Sequence, residues 1–120
     1  MSEQKEILSN KSRNKVFSYL GLAQKAGKIA AGEFLTEGAI KAGKAKLVLV
    51  SEDASNNTKK NFIDCADYYK VPVYVFGTKD EIGHALGKEF RASLAVLEDG
   101  FARQIVLLFN ELELVDQRRR

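Results

Sequence analysis

Leu47-Val-Leu-Val50 is a run without a polar position, set between Lys44-Ala-Lys46 and Ser51-Glu-Asp53. A run so short and so rich in β-branched residues reads as a strand buried on both faces, which needs cover above and below. Val73 to Phe76, after Pro72, and Leu94 to Leu97 are runs of the same kind, and Lys28 to Ala30 forms a very short further strand. The segments between them carry helical signals. A first helix is predicted from about Asn14 to Ala26, with Val16, Leu20 and Ala23 on one face and Gly27 as its stop. A second opens at Gly32 and closes at Gly43. Ser55-Asn56-Asn57 offers caps for a third, in which Phe62, Cys65, Ala66 and Tyr69 keep one face apolar. Thr78 and Glu81 form a capping box for a short fourth helix ending at Gly87, and Asp99 can cap a last helix carrying Phe101, Ile105 and Leu108. Strands alternating with helices in this way predict an α/β chain folded as a three-layer α/β/α sandwich around a central four-stranded mixed sheet.

The 120 residues suffice for one such domain, placed at 13–112. Residues 1–12 are polar without a convincing period and read as a flexible N-terminal arm, and 113–120, ending in Arg118-Arg119-Arg120, as a mobile C-terminal tail. No run of about 18 apolar residues occurs, and Glu3, Lys5 and Glu6 interrupt the stretch where a signal peptide would be apolar. A cytoplasmic protein with no membrane partner is expected. Cys65 is the only cysteine and His84 the only histidine, so neither a disulfide nor the usual zinc ligand set is available, and no metal or cofactor is expected.

Catalysis finds no support. His84 lies in a short helix with no identifiable nucleophile beside it, and Cys65 falls on the apolar face of the third helix, so the chain is read as non-enzymatic. Neither a Walker pattern nor a dinucleotide fingerprint is present. Glu52-Asp53 at a strand end could hold a divalent ion, but two adjacent carboxylates more often serve a loop or a helix terminus.

Charge is unevenly spread. Residues 1–50 hold nine basic groups against four acidic ones, whereas residues 51–110 hold seven against nine. A basic first half points to a polyanionic partner, against the plainer reading of a solvated surface. The second helix adds an aromatic. If Leu35, Ala39 and Ala42 form its buried face, a 100° step puts Phe34 toward Gly38 and Lys41, partly exposed near the helix start. There it either stacks on an unpaired base or seals the edge of the core, and the spacing leaves both open.

Leu20-Gly-Leu-Ala-Gln-Lys-Ala-Gly-Lys-Ile29, Gly32-Glu33 and Lys44-Ala-Lys-Leu-Val-Leu-Val-Ser-Glu-Asp53 form one connected pattern, continued by Val71-Pro-Val-Tyr74, Gly77-Thr-Lys79, Gly83, Gly87-Lys88 and Glu98-Asp-Gly-Phe101. Over residues 14–108 the chain resembles the kink-turn RNA-binding ribosomal protein family, the L7Ae/L30e-type family, in its small bacterial YlxQ-like branch. The resemblance implies the same α/β/α sandwich, a place among ribonucleoproteins, and structured RNA, above all ribosomal RNA, as partner, with ribosomal or translation proteins as further candidates. It implies a site at the start of the second helix, where Gly32 allows close backbone approach, at Lys46 and Lys79, and in the loop Phe90, Arg91 and Ala92. Glu33 and Phe34 at that helix start and the basic residues Lys28, Lys41 and Lys44 are added to it from their own position and charge. Lysines would attract phosphate, Arg91 would stack or make bidentate contacts, and Phe90 would offer an apolar surface to a flipped-out base. The chain departs from the family where Phe34-Leu35 replaces a polar pair and Gly38 a lysine. The polar pair reads sheared G·A pairs through base edges, and Phe and Leu cannot. One rival reading keeps the fold and uses Phe34, Leu35 and Phe90 as an apolar protein-docking patch. The other is a small enzyme with a cleft collecting His84 and acidic residues.

Overall fold

The computed structural model describes residues 2–118, in the order α1 (Ser2–Lys25), β1 (Ile29–Ala31), α2 (Glu33–Lys41), β2 (Leu47–Val50), α3 (Asn56–Tyr68), β3 (Val73–Val75), α4 (Lys79–Ala85), β4 (Ser93–Val96) and α5 (Asp99–Glu111). The four strands form one sheet in the order β1-β4-β2-β3. β4 runs antiparallel to both of its neighbours, and β2 and β3 are parallel across the α3 crossover. The sheet is therefore mixed, and helices cover both faces.

The central strands β2 and β4 are buried at every position, which is why their sequences lack alternation. Their side chains still divide by the two-residue period of a strand. Leu47, Leu49, Leu94 and Val96 pack with Val16, Leu20, Phe76, Ile82, Ile105 and Phe109 on the α1/α4/α5 side. Val48, Val50 and Ala95 pack with Ala39, Ile40, Phe62 and Ala66 on the α2/α3 side. Ser55 caps α3 by accepting from the Thr58 N–H at 3.1 Å, and Thr78 and Glu81 form the expected capping box of α4.

Three expectations need correction. Residues 2–12 are not an arm separate from the first helix: α1 runs unbroken from Ser2. Their side chains from Glu3 onward stay largely exposed, so no apolar period marks them, yet Glu, Gln, Lys, Ile and Leu favour helix and extending an existing helix needs no new nucleus. Second, the tail is docked through Arg118, with Arg119 and Arg120 lying outside the described residues. Asp116 accepts the Val73 N–H at 3.2 Å, and Gln117 donates its N–H to the Val73 carbonyl at 2.8 Å, so the tail covers the edge strand β3. Burial would raise the Asp116 carboxyl, but hydrogen bonds from Arg118 and Val73 hold it below the ordinary carboxylate range. Third, the α5 cap is Glu98 rather than Asp99, its carboxylate accepting the Phe101 N–H at 3.0 Å.

Candidate nucleic-acid interface

β1 and β2 run in the same direction, and β4 runs against both, so the exits of β1 and β2 meet the start of β4. Backbone hydrogen bonds knit the loops at this end together. The Gly32 N–H donates to the Ser93 carbonyl at 2.9 Å, Ser51 N–H to Ala92 at 2.9 Å, and Arg91 N–H to Lys79 at 3.1 Å. Glu52 and Asp53 serve the same assembly, accepting the backbone N–H groups of Gly77 and Lys79, each at 2.9 Å. Burial opposes ionisation of Asp53, but the Lys79 N–H and its other hydrogen bonds prevail and lower its carboxyl from the ordinary value. This is the loop role weighed for the two carboxylates.

The start of α2 is fixed from below as well. Buried Ser93 donates its hydroxyl to Thr36 at 3.1 Å, and the Thr36 hydroxyl points to the Ala30 carbonyl at 3.4 Å. Gly32 precedes the helix with φ +94° and ψ 161°, a region that only glycine occupies without strain. Among the described residues no side chain caps α2, which leaves its first N–H groups available to a ligand.

The buried face of α2 is Thr36, Ala39 and Ile40, not the Leu35, Ala39 and Ala42 face assumed from the sequence. On that frame Phe34 lies roughly opposite the core, at about 100° per residue, and its ring is 86% exposed. It does not seal the core. Leu35 is 56% exposed and Phe90 is 69% exposed. Ala31, Gly32, Glu33, Phe34, Leu35, Phe90, Arg91 and Ala92 line one shallow depression of about 360 Å³. Arg91 donates one guanidinium N–H to the Phe90 carbonyl at 2.9 Å, leaving other donors on the fork for a ligand.

The structure thus brings Gly32, Glu33, Phe34, Phe90, Arg91 and Ala92 together, with Lys79 adjacent through its carbonyl. It does not bring Lys28, Lys41, Lys44 and Lys46 to them. Lys28 accepts from the Leu97 N–H and Lys46 donates to the Val96 carbonyl, which places both where β4 leaves the sheet. From Lys46 to Ser51 the strand rises about 16 Å, so these lysines sit at the opposite end. Lys44 follows the C-terminal end of α2, and Lys41 ends that helix on the same face as Phe34 but about 10 Å along the axis. Lys41 is paired with Glu37 at 2.7 Å, whose hydrogen bond and charge raise the ammonium pKa.

Gly83 belongs to the sequence pattern, but its role was not assigned from the sequence. A methyl there would overlap the Glu89 carbonyl, and the Gly83 carbonyl accepts the Lys88 N–H at 2.8 Å, so this glycine lets the loop fold closely over α4. The signal was present as a glycine inside a capped helix, where one is otherwise unfavourable. His84 is exposed on α4, beside a groove it shares with Asn10, Arg13, Asn14, Phe17, Glu81 and Ala85. Arg13 holds Glu81 at 3.1 Å and lies 5.0 Å from the Phe76 ring centre, which makes that carboxylate part of a structural clamp.

The family model of the ribosomal protein L7Ae/L30e/S12e/Gadd45 family matches residues 14–106. The chain belongs to this family. Its relatives include the RNA-binding protein YlxQ of Bacillus subtilis (strain 168), 43% identical over 94 residues that make up 78% of this chain and 94% of the relative. The RNA-binding protein YlxQ of Enterococcus faecium is 41% identical over 93 residues, 78% of this chain and 89% of the relative. Among solved structures, a Bacillus halodurans protein of unknown function superposes with a TM-score of 0.77 at 36% identity, over 80% of this chain and 97% of that one. The Giardia lamblia 15.5kD RNA binding protein superposes at 0.71 over 86% of this chain and 88% of that one, and at 16% identity it shows the shared fold. The first turns of α1 and the docked tail lie outside the family match.

Proposed function

We propose that this chain is a non-enzymatic cytoplasmic protein that binds structured RNA, with ribosomal RNA as the target class, at the end of the sheet where α2 begins. The observation that carries the reading is the pair of exposed rings, Phe34 and Phe90, on one depression beside Arg91 and the uncapped start of α2. Aromatic faces and a guanidinium plane take up unpaired bases, and free helix N–H groups donate to phosphate oxygens. The names of the YlxQ relatives support the same partner.

Recognition at this end is by stacking rather than by base edges. Phe34, Leu35 and Gly38 offer no side-chain hydrogen bond to sheared G·A pairs, each of which would add about 1–3 kcal/mol of discrimination. Filter-binding titrations against a kink-turn RNA, the same RNA without its G·A pairs, and a plain duplex test this at two salt concentrations. The two kink-turn RNAs are expected to bind within about threefold of each other and more tightly than the duplex, a gap below about 0.7 kcal/mol. A preference of a hundredfold for intact G·A pairs would overturn the stacking account.

A second reading, a protein-docking patch made of Phe34, Leu35 and Phe90, is favoured by one observation: Lys28, Lys41, Lys44 and Lys46 do not surround these residues. Absence of binding to all three RNAs at low salt would leave that reading in place.

A further inference from the structure

The lysines that the fold withholds from the aromatic end are themselves gathered. We infer that the opposite end of the sheet is a second polyanion site, which grips the phosphate backbone of another RNA segment and lets one molecule bridge two parts of a folded RNA. Lys28 and Lys46 flank the exit of β4, two strand spacings or about 10 Å apart. Lys44 is brought to the same end by the turn after α2, its N–H donating to the Ala39 carbonyl at 3.0 Å. Lys25 at the end of α1 and Lys41 at the end of α2 border the patch from the two helical layers.

Two further features argue for an anionic partner. All five ammonium groups belong to exposed residues, and among the described residues only Lys41 has a carboxylate within ion-pair distance. Acidic groups also border this end, namely Glu98, whose carboxylate is turned to the Phe101 N–H, exposed Asp99, Asp67 near the end of α3 and Asp116 bonded to Arg118, but among the described residues none lies within ion-pair distance of Lys28, Lys44 or Lys46. Lysines at helix C-termini complement the helix dipole, which accounts for Lys25 and Lys41. Lys28 and Lys44 follow the same helix ends, where their N–H groups cap the Ala23 and Ala39 carbonyls, and Lys46 stands clear of both caps with no such role. Lys28, Lys44 and Lys46 are point charges, which read phosphate but not sequence, so the partner is duplex backbone.

The inference adds a site to the proposed function and does not require the aromatic one. Its test is the triple variant Lys28→Gln, Lys44→Gln, Lys46→Gln in the full chain, with its thermal midpoint confirming the fold. For a plain duplex, the slope of log affinity against log salt is expected to fall by about 2–3, at about 0.7–0.9 per phosphate contact. Wild-type protein held on an immobilised kink-turn hairpin should capture a second, labelled duplex, and the variant should not, while the variant still binds the hairpin more tightly than the duplex because the rings are untouched. An unchanged duplex slope, or undiminished capture by the variant, overturns the bridge. Failure of the aromatic reading is distinguishable, since Phe34→Ala would then leave hairpin affinity unaltered while the lysine variant still flattened the duplex slope.

Discussion

Replacing Phe34 by alanine is expected to weaken binding of an RNA with unpaired bases by about 1–3 kcal/mol, roughly 5- to 150-fold, and Phe90→Ala by a similar amount. Each ring is anchored only through its backbone, with most of its surface in water, so truncation opens no cavity in the protein. Stability should therefore stay within about 0.5 kcal/mol, as for other surface substitutions. The salt dependence separates this loss from an electrostatic one. A phenyl ring neutralises no phosphate and releases no counterion, so the slope of log affinity against log salt should match wild type. Titrations at several salt concentrations check both statements, and a parallel downward displacement of the line is the expected result. The double variant reports coupling: rings lining one depression and stacking on one RNA segment should show a non-additive loss.

Gly83→Ala is expected to damage the same surface from behind. The added methyl would overlap the Glu89 carbonyl and lie 2.6 Å from its carbonyl carbon, both rigid backbone, so the segment from Gly87 to Ala92 must move. The hydrogen bond from the Lys88 N–H to Gly83 and the one from the Arg91 N–H to Lys79 hold that segment and would be strained together. Forced repacking of this kind costs typically about 1–3 kcal/mol, and displaced Phe90 and Arg91 should lower RNA affinity as well. Gly38→Ala is the contrast. Its added methyl meets nothing within 4 Å on an exposed helical position, so it should stabilise by about 0.5–1 kcal/mol and leave RNA binding unchanged. Chemical denaturation of the two variants measures the opposite signs.

The layers were legible because Leu47–Val50 and Leu94–Leu97 are apolar throughout and because Ser55 and Thr78 are strong caps. The early part of α1 was not, since a projecting helix with little to pack against has no reason to carry a period. The tail was not, because its anchors are a single leucine, Leu114, one carboxylate and a few backbone N–H groups, too few apolar positions to make a pattern. At the interface, the exposure of Phe34 follows from a helical step even though the face first assumed was shifted. Counting from Thr36, Ala39 and Ile40 also turns Leu35 outward. The grouping of the lysines could not be read from spacing. Lys28 and Lys46 precede strands and Gly32 and Ser51 follow them, and only the direction of β4 decides which loops share an end.

The central claim is that RNA docks where α2 begins, on the Phe34/Phe90 depression. The most direct measurement follows the backbone amide signals of the isotopically labelled full chain during titration with the kink-turn hairpin. The expected result is that the largest shifts fall on Gly32 to Leu35 and Phe90 to Ala92, with smaller ones near Lys28, Lys44 and Lys46. Saturating shifts confined to the lysine end, with the amides around Phe34 and Phe90 unmoved, would contradict it.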